Sequence, residues 1–157
     1  MDDHLLIQNA TLILPDRVVE GDLRVSGGSI STIAPGGGLD AGSNEAVIDA
    51  TGLHLLPGAI DPHVHFREPG STEKEDLESG SRAAAAGGVT SFLDMPNNNP
   101  NATNRSTMER KIAIASKKSV THHGFFIGAT NDNIADLQSV EGMDGVCGIK
   151  IFMGSST

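Results

Sequence analysis

The sequence has no tryptophan and no tyrosine, and phenylalanine occurs only five times in 157 residues. A chain so poor in aromatics offers almost nothing for nucleic-acid bases to stack on. Basic residues are scarce as well: 11 Lys and Arg stand against 20 Asp and Glu, a formal net charge of −9. Such a surface repels phosphate backbones and anionic headgroups, so neither nucleic acid nor a membrane is an expected partner. Cys147 is the single cysteine; no intrachain disulfide can form, and a reducing compartment is expected. No apolar run approaches the roughly 18 residues of a membrane span, and the acidic start Met1-Asp2-Asp3-His4 lacks the cationic and apolar regions of a secretory leader. A cytoplasmic location is the expectation. Glycine, by contrast, is abundant, with 19 residues beside 38% apolar content, which fits a globular chain rich in tight turns.

Two rhythms divide the chain. Residues 1–55 read as short strands of a small β domain. Leu5-Leu6-Ile7 and Thr11-Leu12-Ile13-Leu14 flank Gln8-Asn9-Ala10, and Asp22-Leu23-Arg24-Val25 faces Ser29-Ile30-Ser31-Thr32-Ile33 across Gly27-Gly28. A Gly-Gly pair between alternating runs predicts a hairpin, because primed turns need positive φ. Residues 56–157 alternate strand and helix. Apolar runs end near Phe66, Leu93, Ile127 and Phe152, and the patterns Thr72-x-x-Glu75 and Ser106-x-x-Glu109 predict capping boxes before helices over 76–86 and 106–118. A short helix is expected over 133–140. Gly87-Gly88 should close the first helix, and Lys117-Lys118 suit the negative end of the second. Strand starts recur every 25–35 residues or so, the length of a βαβ unit, which is compatible with an open parallel sheet or with part of a (β/α)8 barrel.

Chemistry gathers where the strands end. His63 and His65 lie at i and i+2 on one strand, so both imidazoles leave the same face. Two neutral imidazoles so placed suit zinc or a similar metal; the alternative is one packed histidine and one at the surface. Lys150, between Ile149 and Ile151, sits on a strand expected to be buried. There it either snorkels to water or stays neutral and captures carbon dioxide as a carbamate, whose two oxygens can bridge metal ions. Arg67 and Asn97, read alone, are a loop charge and a turn former; at adjacent strand ends they could together grip a carboxylate. His122 and His123 precede their strand, and with His4 and His54 they read as packing or surface residues.

Taken as a set, HVHFREPG at 63–70, SRAAAAGGVTSFLDMPN at 81–97 and GIKIFMGSST at 148–157 resemble the dihydroorotases, cyclic amidohydrolases of the metal-dependent hydrolase superfamily. The resemblance implies an α/β fold: the N-terminal part of a (β/α)8 TIM-type barrel, about four βα units, preceded by a small β-sandwich-like unit. It implies His63 and His65 as zinc ligands, Lys150 as the carbamylated lysine bridging two zinc ions, and Arg67 and Asn97 as binders of the substrate carboxylate, with His65 also bordering the substrate. The implied activity interconverts N-carbamoyl-L-aspartate and L-dihydroorotate in pyrimidine biosynthesis. Hydantoinases (dihydropyrimidinases), allantoinases and non-catalytic relatives of the same fold are the alternatives, and the arginine after the histidine pair favours a substrate with a free carboxylate.

The same resemblance leaves gaps. Two further metal-binding histidines and the catalytic aspartate belong to later strands than any in this sequence, so no catalytic proton carrier is expected among residues 1–157. A complete barrel takes about 250 residues, far more than follow residue 55. The 157 residues alone are therefore expected to be inactive, and their expected partner, besides a small-molecule substrate, is the remainder of the same polypeptide or a second copy in a homo-oligomer.

Overall fold

The computed structural model describes residues 4–154; the Met1-Asp2-Asp3 start and the closing Ser155-Ser156-Thr157 of the third motif lie outside the described residues. The chain forms two compact units, Met1–Pro57 and Gly58–Thr157.

The first unit is a five-stranded sheet of β1 (His4–Ile13), β2 (Val18–Ser26), β3 (Ser29–Pro35), β4 (Ala46–Asp49) and β5 (His54–Leu55). The expected hairpin joins β2 to β3 through Gly27 and Gly28, both at positive φ (57° and 75°). Residues 8–10, read from sequence as an interruption, instead belong to a continuous β1, which bulges where Asn9 takes φ 60°. The bulge is stabilised by the buried Asp22 carboxylate, which accepts the amides of Asn9 (2.9 Å) and Leu39 (3.0 Å). Those two backbone donors hold the Asp22 carboxyl below the usual range. Strands β4 and β5 both run parallel to β1. Ala10, Leu12, Leu23 and Ala50 form the core of this unit.

The second unit alternates β6 (Ala59–Val64), α1 (Leu77–Ala86), β7 (Val89–Asp94), α2 (Arg105–Lys118), β8 (His122–Gly128), α3 (Ile134–Ser139) and β9 (Val146–Lys150). All four strands are parallel, in the order β6-β7-β8-β9. Each crossover therefore advances by one strand in the same direction, as in a barrel wall, and every strand ends on the same edge of the layer.

Both of its long helices begin at a residue other than the one the sequence patterns indicate. Asp76, not Thr72, caps α1, accepting the Ser79 amide at 2.7 Å. Asn104, two residues ahead of Ser106, caps α2 and exchanges hydrogen bonds with Thr107 in a capping box. Asp and Asn satisfy the orphan amides of the first turn as well as Ser or Thr does, and the threonine hydroxyl returns the bond usually made by Glu. At the end of α1, Gly87 keeps φ −89° and Gly88 takes the positive value of 84°.

The core lies between sheet and helices. Phe92 of β7 is fully buried, with Phe66 edge-on at 4.7 Å and Phe125 edge-on at 6.3 Å. Gly80 of α1 lets the helix approach this cluster: a Cβ there would stand 2.6 Å from the Phe66 ring. Phe66 follows His65 directly, so this approach also fixes the end of β6. Gly80→Ala should therefore destabilise the fold by about 1–3 kcal/mol through overpacking, although alanine is the better helix former by about 1 kcal/mol. Chemical denaturation checks this; a stabilised variant would show that the ring yields freely.

Candidate active site at the strand ends

Residues 61–68 form the end of β6 and the loop that leaves it, at the edge where all four strands end. Asp61 accepts the backbone amide of His63 through Oδ1 at 3.0 Å, which turns the strand as it passes Pro62. The His63 and His65 rings then lie with centroids 5.2 Å apart, tilted by 46°. His65 Nδ1 is 2.7 Å from Asn97 Oδ1. An amide oxygen only accepts, so Nδ1 is the donor, and in the neutral ring this leaves the Nε2 lone pair free. Histidine ligands of metals are oriented in the same manner, by a partner on the nitrogen away from the ion.

Asn97 thus meets His65 across two adjacent strand ends, and its carbonyl oxygen is engaged by that imidazole while its NH2 remains available to a ligand. Arg67 is half-buried, and among the described residues no carboxylate lies within ion-pair distance of its guanidinium. A partly desolvated cation without a counter-ion is a natural seat for an anion.

Lys150 closes β9 at the same edge of the sheet, the fourth strand in the order β6-β7-β8-β9. It is half-buried where full burial was expected, because β9 borders the described sheet and its neighbours Ile149 and Ile151 are 53% and 66% exposed. Its Nζ stands 5.3 Å from the Phe152 ring centroid. The structure brings His65 into hydrogen-bond contact with Asn97 beside the His63 ring, and Lys150 ends the fourth strand at the same edge. Among the described residues, no three His, Cys, Asp or Glu side chains converge as a metal ion requires. The two imidazoles fit as part of a zinc site by donor chemistry and by the tautomer of His65; they do not complete one. The other histidines lie elsewhere: His122 opens β8 at the opposite edge, and His123 stacks on Phe92 at 6.1 Å.

Sequence reading missed the polar groups behind the site. Lys111 of α2 is fully buried and ion-paired at 2.9 Å with Asp94, which closes β7 and is also fully buried. Burial pushes the Lys111 ammonium down and the Asp94 carboxyl up, and each partner's charge opposes that shift. Glu68, also buried, accepts the Leu77 amide at the start of α1 and pairs with Lys118 of α2. One signal was available: Lys111 sits between Met108 and Ala115 on the buried stripe of α2, where a lysine is rare unless paired.

A parallel sheet whose crossovers each advance by one strand, with paired histidines at the exit of its first strand, has the form of part of a (β/α) barrel. Comparison with known proteins narrows it. The model of the amidohydrolase family matches residues 54–142, and the chain belongs to that family. It is 40% identical over 149 residues to an allantoinase of Desulfitobacterium hafniense (strain Y51), covering 94% of this chain and 32% of that protein. It is 38% identical over 151 residues to a dihydroorotase of Methanosarcina acetivorans, covering 96% and 32%. Among solved structures, the L-hydantoinase (dihydropyrimidinase) from Arthrobacter aurescens superposes with a TM-score of 0.88 at 25% identity, over 100% of this chain and 34% of that one. The chain thus spans about a third of the length of the relatives it matches.

The His65–Asn97 bond yields a direct test. In the metal-free protein, two-bond proton–nitrogen NMR should show neutral His65 as the Nδ1–H tautomer. Asn97→Ala should shift the population toward Nε2–H; an unchanged pattern would mean that another group holds the ring.

Proposed function

We propose that this chain supplies the imidazole and carboxylate-binding part of a dihydroorotase-type site, acting on a cyclic amide that carries a free carboxylate. The observation that carries this reading is the half-buried Arg67 guanidinium, unneutralised by any described carboxylate and two residues beyond His65. In this reading Arg67 forms a charged pair with the substrate carboxylate, and the Asn97 NH2 donates to the same group. His63 and His65 offer neutral imidazole nitrogens to zinc, with Lys150, as a carbamate, the bridging ligand. Bound zinc would supply Lewis acidity toward the ring carbonyl and lower the pKa of a water. The remaining ligands and the proton carrier would come from barrel strands of the kind the full-length relatives possess.

Allantoinase activity is the second reading, favoured by relatives of that name at 40% and 39% identity. The two readings differ in charge: allantoin and hydantoin lack the carboxylate that would call for Arg67. The zinc-loaded intact protein, assayed on dihydroorotate, allantoin and hydantoin, should turn over dihydroorotate. Arg67→Met should then cost about 2–5 kcal/mol in substrate binding, the range for removing one partner of a buried charge pair, seen as a raised KM. Turnover of allantoin with none of dihydroorotate would establish the second reading. Unchanged kinetics on dihydroorotate in the variant would remove Arg67 from the site.

A further inference from the structure

The Lys111 ammonium makes three contacts. It donates to the Met95 carbonyl at 2.7 Å and to Asn98 Oδ1 at 2.5 Å. Its contact with Asp94 Oδ2 at 2.9 Å is an ion pair rather than an aligned hydrogen bond. Each partner passes the constraint on to the neighbouring strand end. Asp94 Oδ1 accepts the Phe66 amide at 3.0 Å. Asn98 Nδ2 donates to the carbonyls of Phe66 (3.0 Å) and Glu68 (3.2 Å). One buried cation thereby fixes residues 95 and 98 on both sides of Asn97, and through Asp94 and Asn98 it fixes residues 66 and 68 on both sides of Arg67. His65 lies next to the first of these.

We propose that Lys111, acting through Asp94 and Asn98, is the positioning residue of the site: it sets the separation of the β6 and β7 exits so that Asn97 reaches His65 and Arg67 faces the same ligand. It touches no substrate. A lysine whose only task were stability would be a poor choice, since a buried ion pair replaced by apolar groups of similar volume is often no less stable. What an apolar side chain cannot do is bind two loop oxygens and a carboxylate at once.

The proposal rests on the reading of His65 and Asn97 as site residues, and its primary readout needs neither metal nor turnover. Lys111→Met alone strands the buried Asp94 charge, a cost large enough to unfold the unit; Lys111→Met/Asp94→Asn removes the charge and keeps an acceptor for Phe66. The double variant, in the intact protein, should retain a cooperative thermal transition. Its His65 should nevertheless lose the Nδ1–H tautomer in NMR, and zinc should bind about 10- to 100-fold more weakly in chelator competition, the usual cost of a lost supporting partner. Lys117→Met, on the exposed side of the same helix, should change neither readout. A folded double variant with the wild-type tautomer and zinc affinity would overturn the proposal. If the double variant does not fold, Asn98→Ala, which leaves the ion pair intact, decides by the same two readouts. A wild-type protein that binds no zinc, with a tautomer still sensitive to Lys111, would sink the metal reading and leave the positioning role standing.

Discussion

An ammonium group buried beside aromatic rings is tolerable only when it is surrounded by oxygen, and Lys111, with Nζ 4.9 Å from the Phe125 ring centroid, obtains its oxygens from Asp94 and from the loop that follows β7. The loop cannot drift without stranding the charge, and the charge cannot leave without unpacking α2. Core formation and loop geometry are therefore one event. The more exposed pairs on the same helices, Glu78–Arg82 and Arg105–Glu109, carry no such obligation, because water can replace either partner at little cost.

The exit of β6 is held from a second direction. The Glu68 carboxylate joins the first amide of α1 to Lys118 near the end of α2, placing a negative charge where the α1 dipole is positive. Phe66, between the two histidine-bearing positions and Glu68, packs down against Gly80 and Phe92. The chain leaving β6 thus alternates: 66 and 68 are buried, while 65 and 67 stay half-exposed on the opposite side. This alternation prolongs the strand's two-residue period beyond its last ladder bond.

Much of this was legible in the order of the residues. The β2–β3 hairpin, the four strands of the second unit and the place of the histidine pair and of Lys150 at strand ends follow from Gly-Gly punctuation and from the spacing of apolar runs. The caps were displaced because Asp76 and Asn104 do the same work as the Ser and Thr that the pattern favours. The bulge at Asn9 was hidden because a single left-handed residue interrupts the apolar alternation just as a loop would. The histidine pair could be read from its spacing; its tautomer could not, because Asn97 is distant in sequence and meets His65 only through adjacent parallel strands. Lys111 was overlooked for a related reason: a helical lysine is ordinarily at the surface, and only its position on the Met108–Ala115 stripe marks it as different.

The supporting groups grip this region largely by its main chain: the amide and carbonyl of Phe66, and the carbonyls of Glu68 and Met95. Side chains at 65, 67 and 97 project from a ribbon whose shape does not depend on their identity. Such an arrangement separates the groups that hold this surface from the side chains it presents. In the proposed reading, exchange of the one residue at 67 would change the charge offered to a ligand while the hydrogen bonds to the main chain beneath it stayed in place.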